Sequence, residues 1–198
     1  WPELSHGDPL IIYYLAKNAW EKNTPEISEL TDSYAHDRYP EKIADGIKIL
    51  GIKCELEDVV IPDGAVEIAE NAFCSEEIET VHFPRSLLRI GKSAFSNCSF
   101  LRRIHFPKGC RVREIGERAF ENTIITELKL PSELEKIGEY AFFQCEYLEE
   151  IKIPNDSKLT KIGDDAFLGC EALCVIYMPS HMQAIDGLKN YRTRIVFE

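Results

Sequence analysis

The sequence predicts a repeat solenoid of the α+β class, in which short units of one design stack along an axis. Two recurring features carry this prediction, since chance does not space residues so regularly. Proline returns at intervals of 22 to 25 residues, at Pro62, Pro84, Pro107, Pro131, Pro154 and Pro179. An isoleucine and an Ala-Phe pair follow each of the first five prolines in a fixed register, with the pairs beginning at Ala72, Ala94, Ala119, Ala141 and Ala166.

Residues 1–52 lack the repeat and are expected to form a helical N-terminal cap, because an open solenoid end exposes apolar core. Proline opens each of three apolar segments, a position at which its missing N–H costs nothing, and Gly51 suits a helix stop. The predicted helices are Leu10–Trp20, Ile27–Tyr34 and the segment after Pro40 that carries Ile43, Ile47 and Leu50.

Residues 53–198 are expected to form the solenoid, with about six strands, five full repeats and one degenerate repeat. Apolar residues alternate before each proline, as Ile151 and Ile153 do, and period two indicates a strand with one buried face. Proline then ends the strand. The Gly after each isoleucine suits a turn, and the Ala-Phe pair predicts a short helical or 3-10 corner.

The sixth repeat keeps Pro179 and Ile185 but loses its Ala-Phe pair. After it, the alternation of Ile195 and Phe197 predicts a last strand that closes the array.

Charge and hydropathy exclude several partner classes. A net charge of -11 disfavours nucleic acid and anionic membranes, and no apolar run reaches the ~18 residues that span a bilayer. A helix-turn-helix reader in the cap is a less favoured alternative, because residues 1–53 hold more acidic than basic side chains. Since the chain opens with Trp1, we expect that a preceding segment has been removed.

The cysteines are expected to be packing residues. Cys98, Cys145 and Cys170 recur with the period of the core, and no CxxC pair or other zinc-ligand spacing occurs. We therefore expect no metal and no cofactor. No phosphate loop, nucleophile elbow or zinc-protease motif is present, so we expect no enzyme activity.

From about Leu56 to the C-terminus, the repeats resemble the BspA-like leucine-rich repeat, which reads L-x-x-I-x-I-P and then I-G-x-x-A-F-x-x-C. Departures occur at Ala69, Cys74 and Thr123, which replace the Gly, the full corner and the Cys of the pattern. The resemblance implies a leucine-rich-repeat solenoid and a bacterial surface or secreted protein that acts in adhesion and protein binding, although intracellular members occur.

The exposed face of the strands offers the candidate binding site. If the strands pair in register, the residues two before each proline form one line about 4.8 Å apart, flanked by further columns. Solvated pairing of Lys129 and Lys152 with neighbouring glutamates is one interpretation of these columns. The other is a local site for an acidic peptide or a glycan, formed by His82, His105, Lys129, Lys152, Tyr177, Arg102 and Arg103.

Three functions follow from this pattern. A non-enzymatic protein-binding or adhesion module at the cell surface or secreted is favoured. An intracellular, cytoplasmic scaffold is the alternative, since seven apparently free cysteines suit a reducing compartment. A nucleic-acid regulator that acts through the N-terminal helices is less favoured. The pattern indicates no oligomeric state.

Overall fold

The structure, a computed structural model, describes residues 41–43, 46–49, 57–182 and 194–197. Each of the first five repeats contributes two short parallel strands, one before its proline and one that holds the isoleucine that follows. We call the two layers the proline sheet and the glycine sheet. Their inward side chains share one hydrophobic core.

Within the residues that the structure describes, the glycine sheet has seven strands. They are β1 (Glu41–Ile43), β2 (Gly46–Ile49), β4 (Ala65–Ile68), β6 (Arg89–Ile90), β8 (Glu114–Ile115), β10 (Lys136–Ile137) and β12 (Lys161–Ile162), in the order β1-β2-β4-β6-β8-β10-β12. Every pair is parallel except β1 with β2.

The proline sheet comes in two parts. Its strands are β3 (Asp58–Val60), β5 (Thr80–His82), β7 (Arg103–His105), β9 (Glu127–Lys129), β11 (Glu150–Lys152), β13 (Val175–Met178) and β14 (Arg194–Phe197). The first three form one parallel sheet and the last four form another. The six strands predicted before the prolines are therefore present, and the predicted closing strand is confirmed as β14, which pairs with β13.

The helix predicted after Pro40 is wrong, because this segment forms β1 and β2. Strand β2 pairs with β4, and the Ala69 amide donates to the Ile49 carbonyl at 2.7 Å. A sheet edge leaves its backbone donors and acceptors unpaired, and a strand satisfies them where a helix cannot. The other two predicted helices, Leu10–Trp20 and Ile27–Tyr34, lie outside the described residues.

The corners are chains of turns, so the α+β assignment is wrong as well. The helical segment within the described residues is the 3-10 helix Ser180–Met182. Each corner places two residues at positive φ, such as Ser93 at 50° and Asn97 at 61°, which no helix tolerates. Alternate corner amides bond to the next repeat, as the Phe95 N–H does to the Ala119 carbonyl at 2.8 Å, and those between them close turns, as the Ser96 N–H does to the Ser93 carbonyl at 3.1 Å.

Five phenylalanines form a continuous stack through the core. Successive ring centroids are 5.0 to 5.3 Å apart, with planes tilted by at most 10°. This is the offset spacing that aromatic pairs favour, and each ring is almost completely buried. The stacked residues are Phe73, Phe95, Phe120, Phe142 and Phe167.

The glycine after each isoleucine has a different purpose from the predicted turn. None of the four, Gly91, Gly116, Gly138 and Gly163, has the positive φ that only glycine adopts freely. Each lies against the backbone of the preceding repeat, so that a Cβ on Gly138 would stand 2.5 Å from the Glu117 nitrogen. Glycine is therefore required for close approach between repeats.

Candidate functional site

The proline sheet presents its outward side chains in register, as a parallel ladder requires. In the first part of the sheet, His82 is paired with His105. In the second part, Lys129 is paired with Lys152, and Lys152 with Tyr177. Arg103 lies two residues before His105 on β7, and Arg102 directly precedes that strand. The structure thus brings the predicted residues onto one face, in two groups.

The predicted single line is interrupted between His105 and Lys129, because β7 and β9 belong to different parts of the sheet. Sequence reasoning missed this break. Ile115 follows Pro107 by eight residues, while Ile137 follows Pro131 by six. The same eight-residue spacing recurs from Pro154 to Ile162, where the flanking strands β11 and β13 stay paired. The spacing from proline to isoleucine alone therefore does not predict the break.

The first group centres on two stacked histidines. The rings of His82 and His105 lie 4.6 Å apart and 15° from parallel, and both are exposed. The Arg103 guanidinium donates to the hydroxyl of buried Thr80 through Nη2 at 3.0 Å, which fixes the arginine along the sheet. Arg102 is exposed and forms no ion pair with any described residue.

The electrostatics of this group are positive. Partial burial lowers the pKa of His105, and His82, Arg103 and Lys129 lower it further. Asp58, two strands away, opposes these effects. The groups around His105 therefore disfavour its protonated form, and an approaching anion would favour that form.

The second group is internally paired. Lys129 Nζ lies 2.9 Å from Glu127 Oε1, and Lys152 contacts both Glu127 and Glu150. Hydrogen bonds from Lys129 outweigh burial and lower the pKa of Glu127, while the hydrogen bond to Glu150 raises that of Lys152. The Lys152 ammonium also lies 5.6 Å from the Tyr177 ring centroid. These lysines therefore have less free charge than the first group.

The glycine sheet has its own charged face, and its charges also pair. Glu114 accepts from Lys136 at 2.9 Å and lies 3.6 Å from Arg89, while Lys48 meets Glu67 at 3.0 Å. A shallow groove of about 310 Å³ runs over this face. Because its lining cations and carboxylates neutralise one another, this face offers less unpaired charge than the first group.

The cysteines pack as predicted where the period places them in the core. Cys98 and Cys145 are fully buried, and Cys170 is half-buried. The Cys98 thiol donates to the Phe73 carbonyl at 2.9 Å, and burial raises its pKa to about 12. It is therefore a neutral packing group that faces away from the exposed histidines, and it is not an activated nucleophile.

Within the described ranges, no three His, Cys, Asp or Glu side chains converge as metal ligands would. The same part of the chain contains no helix that is long and apolar enough to cross a membrane.

The repeat geometry agrees with a family match. Residues 52–112 and 66–191 match the family described as the BspA type leucine rich repeat region. The chain belongs to that family. No curated protein matches the chain.

Solved structures share this solenoid. The leucine rich repeat protein of T. pallidum is 32% identical, with a TM-score of 0.66, and the match covers 72% of this chain and 69% of that one. A leucine rich cell surface protein from Faecalibacterium prausnitzii is also 32% identical, with a TM-score of 0.63 over 72% of this chain and 38% of that one. The pneumococcal vaccine antigen PcpA shares the fold at 19% identity and a TM-score of 0.58, over 80% of this chain and 47% of that one.

Proposed function

We propose that this chain is a non-enzymatic binding module whose proline sheet faces a protein partner, at a bacterial cell surface or after secretion. The observation that carries the proposal is the register of the proline sheet. It gathers His82, His105 and Arg103 on an exposed face, next to exposed Arg102, in a chain whose net charge is -11. Such a local reversal of charge favours an acidic partner, either a peptide or a glycan.

The comparisons support the compartment. A relative with 32% identity is described as a cell surface protein, and adhesion is a role that suits an exposed repeat face. We also propose that residues 1–52 form a cap and residues 53–198 the solenoid. In this division, β1 and β2 extend the glycine sheet at the N-terminal end of the stack.

Charge reversal on the proline sheet tests the function. Arg102→Glu and the double variant Lys129→Glu/Lys152→Glu would each be compared with the parent by crosslinking and capture from the native cell and its surroundings. Lys161→Glu, an exposed change on the glycine sheet, is the control. We expect one prominent partner to be lost with Arg102→Glu and retained with Lys161→Glu. Retention with every variant would contradict a role for this face.

An intracellular scaffold is the second candidate, since all six cysteines in the described residues are free thiols. Antibody labelling of intact cells separates the two, because a surface module is labelled without lysis. Labelling only after lysis would favour the scaffold. The nucleic-acid alternative depended on three helices, and the third of these is replaced by β1 and β2.

A further inference from the structure

The break in the proline sheet is a cleft with missing backbone hydrogen bonds. At other junctions, one bond closes the far end of the strand pair, as Leu130 N–H does to the Lys152 carbonyl at 3.0 Å and Phe83 N–H to His105 at 3.0 Å. The equivalent donor between β7 and β9 would be Phe106. In the described part of the chain, no ladder pairs these two strands.

The strands also stand apart in space. With few exceptions, the Cα atoms of β7 and β9 are more than 8 Å from one another, whereas paired strands lie about 4.8 Å apart. Backbone hydrogen bonds join the two repeats again on either side of this gap. Ile124 N–H donates to Leu101 at 3.1 Å before the strands, and Glu135 N–H donates to Arg113 at 2.9 Å after them. The gap is therefore a bounded cleft within the solenoid wall.

Side-chain burial shows the same opening independently. Inward residues of the proline strands are almost completely buried, as Val81 and Leu128 are at 0% exposure. Ile104 occupies the same register on β7 and is only partly buried. Phe106 is likewise partly buried, although Phe83 on the preceding repeat is 4% exposed. Apolar surface is thus accessible on the β7 side of the cleft, while Leu128 on the β9 side is buried.

The loop after β7 packs against the preceding repeat. Cys110 is buried with its Sγ 3.7 Å from the Pro84 carbonyl, and Arg111 N–H donates to Arg85 at 3.2 Å. Both contacts are with the preceding repeat. These contacts anchor the loop to the repeat that contains β5.

The backbone alternation determines which groups face the gap. His105 gives its carbonyl to β5, so the backbone of Ile104 and Phe106 faces β9. On the opposite side, Leu130 bonds to β11, so the backbone of Glu127 and Lys129 faces β7. The edges of β7 and β9 therefore face each other across the gap. Each edge presents backbone N–H and C=O groups that can pair with an added strand.

We propose that this cleft binds an extended peptide with alternating acidic and apolar residues, which adds a strand between β7 and β9. The inference rests on the proposed function and names its partner. Backbone hydrogen bonds to both edges would hold the peptide, as in other strand additions. Its apolar side chains meet Ile104 and Phe106, while its acidic side chains meet Arg103, His105 and Lys129 on the rim. Glu127, the carboxylate on this rim, is already bound by Lys129 and Lys152.

Amide hydrogen exchange tests the cleft without a ligand. We expect the Ile104, Phe106 and Lys129 amides to exchange at least tenfold faster than that of Val81, which lies inside a paired ladder. Equal protection at low protein concentration would overturn the proposal by showing that the cleft is closed. Protection that grows with protein concentration would also overturn it, in favour of self-association through these edges.

Peptide binding tests the occupant. The probe is fluorescent acetyl-Glu-Val-Glu-Val-Glu-Val-amide, and its matched control carries N-methyl groups on the three valines. Methylation removes the valine N–H donors, while the control peptide keeps its charge and its apolar side chains. We expect the unmodified peptide to protect the cleft amides, to raise the pKa of His105, and to bind at least about tenfold more tightly than the control.

Protein variants complete the test. Arg103→Glu should weaken binding of the unmodified peptide by about tenfold, whereas Lys161→Glu should leave it within about twofold. Equal binding of both peptides would overturn the proposal, because charge alone would then suffice. No binding at millimolar peptide would overturn it too. If these cleft tests fail while the native partner still depends on Arg102 in the capture experiment, the proposed function stands and only the cleft assignment is overturned.

Discussion

At the scale of single residues, the pKa of His105 reports directly on the charges around it. Its pKa is lowered from the ordinary value of 6.5 by partial burial and then by His82, Arg103 and Lys129. The folded protein thus binds this proton less readily than the unfolded chain. His105 therefore destabilises the fold progressively as the pH falls from about 6.5 through the lower folded pKa.

Removing a neighbouring charge should reverse part of this shift. In Arg103→Gln, we expect the pKa of His105 to rise towards 6.5, because one repelling cation is lost. An NMR titration of the histidine ring protons measures it. Arg85→Gln, an exposed change in the loop after β5, is the control and should leave the titration of His105 unaltered. An unchanged pKa in Arg103→Gln would show that the cation does not act on this ring.

Thr123, which departs from the family pattern, offers a test of side-chain hydrogen bonding in the core. It is buried where the repeat has cysteine, and its hydroxyl donates to the Phe120 carbonyl at 3.0 Å and lies 3.2 Å from the Cys145 sulfur. Thr123→Val removes the donor at nearly constant volume and should cost about 1 kcal/mol of unfolding free energy. Thr123→Cys restores the pattern and should cost less than Thr123→Val. Urea denaturation compares the two, and the reverse order would contradict the assigned bond.

At the scale of elements, the glycines that follow the isoleucines lead to a quantitative prediction. Gly138→Ala places a Cβ 2.5 Å from the Glu117 nitrogen, so the neighbouring backbone must move, and we expect a loss of about 3 kcal/mol or more. Gly109→Ala meets nothing within 4 Å but has a φ of 78°, and should cost only about 1 kcal/mol. Denaturant midpoints give the comparison. A cost for Gly138→Ala no larger than that for Gly109→Ala would refute the close-approach explanation.

The sequence predicts the proline strands well and the glycine strands poorly, for a physical reason. Alternation before each proline, as at Ile151 and Ile153, spans enough residues to reveal a period of two. The strands at Lys136–Ile137 and Lys161–Ile162 are two residues long and show no period. Their existence depends on hydrogen bonds to neighbouring repeats, which local propensity does not encode.

The corners mislead in the same way. The spacing of Ala and Phe in each corner predicts a helical turn, yet alternate corner amides bond to the next repeat, as the Phe95 N–H does to the Ala119 carbonyl. The positive φ of residues such as Arg118 and Tyr140 is imposed by stacking, because neither residue favours it. Tertiary contacts therefore override the local preference throughout.

At the scale of the whole molecule, stability passes from repeat to repeat. Phe120 stands in the middle of the aromatic stack and is fully buried. Phe120→Ala should cost about 3 to 5 kcal/mol and uncouple the two halves, so that urea unfolding followed by circular dichroism becomes broader or biphasic. Phe100→Ala, at a side chain that is 50% exposed, is the control and should cost under about 0.5 kcal/mol. A sharp transition with an unchanged midpoint in Phe120→Ala would contradict this coupling.

The candidate site was predictable in its residues but not in its continuity. Counting from the prolines places His82, His105, Lys129 and Lys152 at equivalent positions, and the pairing within each part of the sheet follows that register. The break between β7 and β9 arises from how whole repeats stack, since the same eight-residue spacing after Pro154 leaves β11 and β13 paired. Such a feature belongs to the assembled molecule.

The aromatic stack has a consequence for how such a chain can change over generations. Along the axis, like residues contact like: phenylalanine lies on phenylalanine and glycine lies over backbone next to glycine. A unit copied or deleted as a whole by recombination therefore finds a compatible neighbour on either side. The number of repeats and the exposed charges of each repeat can then vary independently. The same hydrophobic core can therefore support many different surfaces.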